Sequence, residues 1–172
     1  MTEPLYVSDP DAYRRKLKEG NAKQAKKIVV ADGVFRDSDG RILLVDPNYK
    51  AHWDLPGGMS ESNEAPDETL RRELAEELGL HLPPEPPPLL VVEWVPRDEN
   101  WDDKLMFVFD GGILTGTQIA ALRLTDDELD NFGFFTPDRA RELLRTDLGH
   151  RLDIALEALD SRRVYYVRDT TN

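Results

Sequence analysis

Three glutamates near the middle of the chain have the type and spacing needed to bind a cation. Glu73 precedes Glu76 by three residues and Glu77 by four, so in a helix all three share one face. Carboxylates this close repel one another unless a cation neutralises them. Oxygen ligands suit Mg²⁺ or Mn²⁺, which prefer carboxylates, carbonyls and water. The spacing therefore predicts a divalent-metal site on an exposed acidic edge of a helix.

The helix that carries these glutamates is predicted to span Pro66 to Leu78. Leucines recur at every fourth position from Leu70, which predicts that another face of the helix packs inward. Proline suits the first helical position, and Gly79 suits the left-handed position that ends many helices. The buried leucines should hold the acidic edge rigidly outward.

Strand-forming segments lie on both sides of this helix. Runs of β-branched and apolar residues over 28–36 and 41–46 flank the turn sequence Asp37 to Gly40, which predicts a hairpin. The other predicted elements are strands over 89–95 and 104–110, helices over 137–144 and 148–159, and an edge strand or dimer contact over 163–168.

The first 27 residues differ in composition from the rest of the chain. Between Asp9 and Lys27 the sequence is polar and basic, and we expect two short helices or one helix broken at Gly20 and Asn21. Three interpretations of this segment are open: a dimer arm, a lid over a site, and a solvated extension. We therefore predict an N-terminal helical extension over 1–27 and one domain over 28–172.

Composition excludes several classes of function. The 172 residues include no cysteine, which rules out disulfides, thiolate metal sites and a cysteine nucleophile. A net charge of −12 disfavours binding of long nucleic acid. No apolar run approaches the roughly 20 residues that cross a bilayer, and the N-terminus does not resemble a secretion signal. We expect a cytoplasmic protein that does not bind membranes.

The stretch from Gly58 to Leu80 resembles the Nudix box, GX₅EX₇REUXEEXGU, where U is an apolar residue. Every specified position of that motif is matched over 23 residues. The resemblance implies an α/β fold, namely an α/β/α sandwich around a mixed β-sheet. It also implies a pyrophosphatase, a hydrolase that cleaves the diphosphate linkage of a nucleoside diphosphate joined to another moiety.

The resemblance also assigns roles to the residues of the box. It implies that Glu73, Glu76 and Glu77 bind Mg²⁺ or Mn²⁺, helped by the backbone carbonyl of Gly58. Glu64 and Arg72 should pair and brace the loop against the helix, with Gly57 and Gly79 as structural positions. The alternative for Arg72 is a surface pair with Glu68 or Glu76.

One carboxylate must take a proton from the attacking water. Family members differ over whether this general base lies in the box or in a later loop. Glu73 is the candidate within the box. Glu128 is the candidate from a later loop, because it closes an acidic cluster just before the apolar run Phe132 to Phe135.

The substrate is less well determined than the reaction class. Pro96 follows the box at a spacing that resembles a marker of ADP-ribose-cleaving Nudix enzymes, which slightly favours ADP-ribose or a nucleotide sugar. Dinucleoside polyphosphates and damaged nucleoside triphosphates remain open. Trp53, Arg97 and Trp101 are candidate substrate contacts. Alternatively, Trp53 is a buried residue that braces the glycine pair Gly57 and Gly58, and Trp101 packs back on the sheet.

Two other functions are compatible with a Nudix fold. One is isomerisation of isopentenyl diphosphate, which in the best-known enzyme type uses a cysteine, and this chain has none. The other is a non-catalytic nucleotide-sensing or regulatory module. Such modules usually lose box glutamates, whereas all are present here. The resemblance further implies a possible homodimer.

Overall fold

The computed structural model describes residues 3–168. The helices are α1 (Leu5–Ser8), α2 (Pro10–Ala22), α3 (Pro66–Leu78), α4 (Gly116–Ala121), α5 (Pro137–Leu143) and α6 (Thr146–Ser161). The strands are β1 (Ile28–Arg36), β2 (Ile42–Pro47), β3 (Gly57–Met59), β4 (Leu89–Val95), β5 (Lys104–Ile113), β6 (Leu129–Phe135) and β7 (Tyr165–Arg168).

The strands form one mixed sheet in the order β6-β2-β1-β5-β4-β7, and β3 pairs with β1. The pairs β1–β5 and β4–β7 are parallel, and the remaining pairs are antiparallel. Strand β1 pairs with β3 near its start, from Val30 to Asp32, and with β2 at its end, where Arg36 faces Ile42. This divided pairing brings the start of the box alongside the centre of the sheet.

Helices cover both faces of the sheet. On one face, α5 and α6 bury residues such as Leu152 against Val34 and Val108. On the other face, α3 buries its leucines against Ala31 and Phe35. Alternate residues of β1 thus enter opposite cores, as the two-residue period of a strand requires. The predicted α/β/α sandwich around a mixed sheet is confirmed.

Most of the predicted elements occur in the structure. The predicted bounds of β1, α3 and β4 agree with the observed ones, and β1 and β2 form the predicted hairpin. Strand β5 continues past Asp110 to Ile113, with an irregularity in its pairing to β1 between Val34 and Phe35. Helix α4 was not predicted, because its six residues are too few to show a helical period.

The glycine pair lies in a strand and not in a simple turn. Gly57 and Gly58 begin β3 and pair with Asp32 and Ala31 of β1. A strand of three residues leaves no alternating pattern in the sequence, so only its partner strand reveals it.

The N-terminal segment also differs from expectation. Helix α2 continues through Gly20 and Asn21 and ends at Ala22, so no break occurs there. A glycine costs a helix about 1 kcal/mol, which the last turn tolerates. Neither α1 nor α2 contains a buried residue. Within residues 3–168, no helix is long and apolar enough to cross a membrane. The division into extension and domain at residue 27 stays a prediction.

Candidate active site

Local sequence signals define both ends of α3. Pro66 occupies the first turn, and the Glu68 carboxylate accepts a hydrogen bond of 2.9 Å from the Ala65 N–H. At the other end Gly79 has a φ of +61°, in the left-handed region, and the Leu80 N–H reaches the Leu74 carbonyl at 3.0 Å. The helix is therefore held in a defined position along its length.

Glycines allow β3 to pass between β1 and α3. Gly57 has a φ of +142°, and a Cβ there would overlap the Ala31 carbonyl oxygen. A Cβ at Gly58 would overlap the Glu73 carboxylate. Only glycine fits at Gly57, where the overlap is with backbone, whereas a side chain at Gly58 would displace the Glu73 carboxylate, which lies directly against the main chain there.

Arg72 connects the loop before α3 to the helix. Its Nε donates to Glu64 at 2.9 Å, and one terminal nitrogen reaches both Glu73 and Glu76 at 3.0 Å. The other terminal nitrogen donates to the Met59 carbonyl at 2.9 Å. One guanidinium thus binds three carboxylates and one carbonyl, which holds the loop and β3 against the helix. The pair with Glu76 forms as well, so the two interpretations of Arg72 coexist.

The three helix glutamates differ strongly in exposure. The side chain of Glu76 is 57% exposed, that of Glu73 is 18% exposed, and Glu77 as a residue is only 8% exposed. The expectation that all three lie on an exposed outward edge is wrong for Glu77. That residue lies on the side of α3 that faces β3, and the Gly57 N–H donates to its carboxylate.

Burial and mutual repulsion make protonation of these carboxylates easier. Burial, with the nearby charge of Glu73, raises the pKa of Glu77 to about 8. Burial also raises the pKa of Glu73, and Glu76 and Glu128 add to that effect while Arg72 opposes it. The Oε2 atom of Glu77 is buried without a hydrogen-bond partner among the described residues. The two carboxylates therefore lie close together, and Arg72 pairs with Glu73, whereas Glu77 has no cationic partner among the described residues.

These residues fit a divalent cation. Residues 3–168 contain no preformed group of three or more His, Cys, Asp or Glu side chains arranged around a metal position. The unpartnered Glu77 oxygen and the Glu73 carboxylate against the Gly58 main chain nevertheless supply hard oxygen donors at one place. Glu76 points away into solvent and pairs with Arg72, so it would join such a site only by changing partner.

A cavity of about 650 Å³ opens beside β3 and α3. Among the predicted site residues it is lined by Trp53, Gly57, Gly58, Glu73, Glu77, Trp101 and Glu128. The predicted residues that do not line it are Glu64, Arg72, Glu76, Gly79 and Arg97. The structure therefore brings the candidate base Glu128 and both tryptophans to the box, but it leaves Arg97 exposed in the loop after β4.

The two tryptophans contribute differently to the cavity. Trp53 is partly buried and packs edge-to-face on Phe135, with ring centroids 4.9 Å apart. Its backbone N–H donates to Leu143, so the ring is held by the core on one side and lines the cavity on the other. Trp101 is 48% exposed, and the Lys104 ammonium lies 5.6 Å from its ring centroid. Trp101 therefore has a face available to a planar ligand.

Several charged cavity residues lie outside the box. Asp32 on β1 is 5% exposed, and burial together with the charge of Asp54 raises its pKa to about 7. Arg151 of α6 is buried and pairs with the buried Glu93 of β4. Asp54 pairs with Lys50. The one signal for Asp32 in the sequence is a charged residue within the apolar run of β1, and it has no recognisable partner nearby in the chain.

A comparison of the sequence with models of known protein families agrees with both the fold and the motif. The model of the NUDIX domain matches residues 26–155, three quarters of the chain. The chain belongs to the Nudix family. Its Nudix domain therefore includes every element from β1 to most of α6, and the matched segment begins just after the N-terminal helices.

Individual relatives agree with this assignment. An 8-oxo-dGTP diphosphatase of Proteus vulgaris is 39% identical over 59 residues, which cover 32% of this chain and 53% of the relative. The 8-oxo-dGDP phosphatase NUDT18 of Homo sapiens is 35% identical over 119 residues, covering 64% of this chain and 35% of the relative. The chain thus spans about half or less of the length of these curated Nudix relatives.

The solved structures include similar Nudix folds. A UDP-X diphosphatase structure has a TM-score of 0.67 and 19% identity, and the similarity covers 91% of this chain and 74% of that one. At this identity the likeness concerns the fold alone.

Proposed function

We propose that this chain is a divalent-metal-dependent pyrophosphohydrolase that cleaves the diphosphate linkage of a nucleoside diphosphate joined to another moiety. The observation that carries the proposal is the placement of the Glu73 carboxylate against the Gly58 main chain and of the unpartnered Glu77 Oε2 atom in the same cavity, which also has exposed aromatic surface. Relatives named for 8-oxo-dGTP and 8-oxo-dGDP support a nucleotide substrate.

Glu73 and Glu77, with the main chain at Gly58, would hold Mg²⁺ or Mn²⁺. Such an ion, when bound, neutralises diphosphate charge and lowers the pKa of a water ligand. The protein orients these groups, because Arg72 holds Glu73 and the Gly57 N–H holds Glu77. Glu73 or Glu128 would accept the proton of the attacking water, since both line the cavity.

The aromatic side of the cavity would bind the nucleoside. Trp101 offers an exposed ring face, and Trp53 is held in place by Phe135. Stacking on such rings stabilises any nucleobase, so it favours nucleotides as a class without choosing among bases.

A substrate panel tests this proposal directly. Purified protein is incubated with Mg²⁺ and, separately, 8-oxo-dGTP, 8-oxo-dGDP, dGTP, ADP-ribose, nucleotide sugars and dinucleoside polyphosphates, and phosphate-containing products are separated chromatographically. Turnover of at least one compound that stops on addition of EDTA is the expected result. Nucleotide binding without turnover of any compound would instead support the non-catalytic sensing module.

A further inference from the structure

The carboxyl group of Asp32 faces the cavity without a partner. Asp32 points to the same side of β1 as Val30 and Val34, which is the face of the sheet covered by α5 and α6. The residue is 5% exposed, and its side chain makes no hydrogen bond with any residue in the range 3–168. Its small exposed part belongs to the cavity wall.

The cations near Asp32 are already engaged by other acids. Arg151 donates through its Nε to Glu93, and Lys50 pairs with Asp54. Both cations still lower the pKa of Asp32, which shows that they are close, but neither donates a hydrogen bond to it. The acceptor positions of Asp32 are therefore free on the cavity side.

An acidic side chain at this position carries a desolvation cost. Asp32 is largely buried, and an apolar residue in this strand would avoid that cost, but the carboxyl oxygens of Asp32 remain accessible from the cavity. Neighbouring positions of β1, such as Val30 and Val34, are apolar. A ligand that donates hydrogen bonds into the cavity would supply the missing partner.

The surroundings of Asp32 fit the edge of a nucleobase. Val30, Val95 and Met106 line the same cavity and are apolar, and Trp53 and Trp101 add aromatic surface. Proteins that read an unpaired base combine stacking between such side chains with hydrogen bonds to the edge of the base. Asp32 supplies acceptors in a cavity that combines this apolar and aromatic surface with charged side chains such as Lys50, Asp54 and Arg151.

We propose that Asp32 determines base specificity by accepting hydrogen bonds from a base edge that presents two adjacent N–H donors, as guanine does. A carboxylate has two oxygens side by side, and it matches two parallel donors. Adenine presents an acceptor beside its amino group, and this acceptor would face the carboxylate unfavourably. The inference rests on the proposed function, because it places the nucleoside of that substrate in this cavity.

The test compares binding of dGMP and dIMP, which differ only in the 2-amino group. Metal-free protein is titrated with each nucleotide while tryptophan fluorescence is recorded, with calorimetry as a second readout. Wild type, Asp32→Asn and the control Asp46→Asn are compared. Asp46 lies on β2 and does not line the cavity. Asparagine keeps the size of aspartate but offers one acceptor in place of two.

We expect wild type and Asp46→Asn to bind dGMP about 10- to 100-fold more tightly than dIMP, because one charge-assisted hydrogen bond contributes about this much to binding affinity. In Asp32→Asn the preference should fall below about threefold, with dIMP affinity nearly unchanged. The inference would be overturned if wild type bound both nucleotides equally or did not bind dGMP. It would also be overturned if Asp32→Asn lost the same amount of affinity for both nucleotides. Weaker Mn²⁺ binding by Asp32→Asn would likewise overturn it, since it would assign Asp32 to the metal.

This experiment is independent of the proposed hydrolysis. Selective dGMP binding with no turnover in the substrate panel would contradict the enzymatic proposal and leave the role of Asp32 intact. Turnover without base selectivity would contradict the role of Asp32 alone.

Discussion

Glu77 combines burial, a close like charge and an unpartnered oxygen. These properties are unfavourable in an isolated domain and are relieved when a cation binds, because the cation balances both carboxylates. Under the proposed function, these properties would make Glu77 a better metal ligand than the exposed Glu76.

The change Glu77→Gln should weaken metal binding and activity while the fold remains intact. Glutamine has the same volume but no charge, so Mn²⁺ affinity should fall at least about tenfold and kcat/KM on the best panel substrate at least about 100-fold. Electron paramagnetic resonance of Mn²⁺ and steady-state kinetics measure the two effects. Glu85→Gln, at an exposed position in the connector before β4, is the matched control. Near-normal Mn²⁺ binding by Glu77→Gln would remove Glu77 from the site.

The stability of the metal-free protein should fall as the pH rises from about 5 to 8. Folded Glu77 keeps its proton to about pH 8, whereas the unfolded side chain loses it near its ordinary value of 4.5. The folded state therefore binds more protons in this window, so stability decreases as the pH increases. Asp32 adds to the effect up to about pH 7.

Urea unfolding in EDTA at several pH values measures this slope. Glu77→Gln should flatten it, and Glu85→Gln should not. A slope that is identical in wild type and Glu77→Gln would contradict the burial of a protonated Glu77.

At the scale of elements, Arg72 holds together β3, α3 and the loop that connects them. Glu64 is the partner of Arg72 in the loop, and its hydrogen bonds with Arg72 lower its pKa to about 2. The interaction should stabilise the protein above the ordinary pKa of a glutamate and be lost as the pH falls from about 4.5 to 2.

The change Glu64→Gln should lower the free energy of unfolding by about 1.5–3 kcal/mol at pH 7, the value of a charge-assisted hydrogen bond. It should also reduce the loss of stability between pH 4.5 and 2. Chemical denaturation across this range measures both effects. Glu61→Gln is the control, because Glu61 lies in the same loop with an exposed side chain. Equal acid sensitivity of wild type and Glu64→Gln would show that the loop is held by other contacts.

The end of α3 depends on the left-handed backbone of Gly79. Gly79→Ala should cost about 1 kcal/mol, because alanine is strained at a φ of +61° and its Cβ would lie 3.3 Å from the Arg123 guanidinium. Gly116→Ala, which has open space around it and a negative φ, should change stability by less than about 0.5 kcal/mol. Equal effects of the two changes in thermal unfolding would contradict this account.

At the scale of the whole molecule, the N-terminal helices and the Nudix domain are expected to be separable. Neither α1 nor α2 buries a residue, and the family match begins at residue 26. A chain that begins at Lys26 should keep its melting temperature within about 2 °C and its activity on the best panel substrate. A large fall in melting temperature would show that the extension stabilises the domain, and lost activity with an unchanged melting temperature would identify it as part of the site.

Local signals allowed much of this protein to be predicted from its sequence. The bounds of α3 follow from Pro66, the leucine period and Gly79, because helix ends and faces are encoded within a few residues. The family follows from the box, whose fixed spacing reflects one helix and the loop before it. The candidate ligands Glu73 and Glu77 lie in that same stretch, so they needed no tertiary information.

Other features depend on residues far apart in the chain, and only the tertiary structure decided them. The pairing of β3 with β1 brings Gly57 against Asp32, and packing of α6 brings Arg151 to Glu93. The tertiary structure likewise shows that Glu77 is buried, that Arg97 does not line the cavity and that Asp32 does. Burial and electrostatic environment depend on which distant segments meet, and no local pattern in one sequence records that.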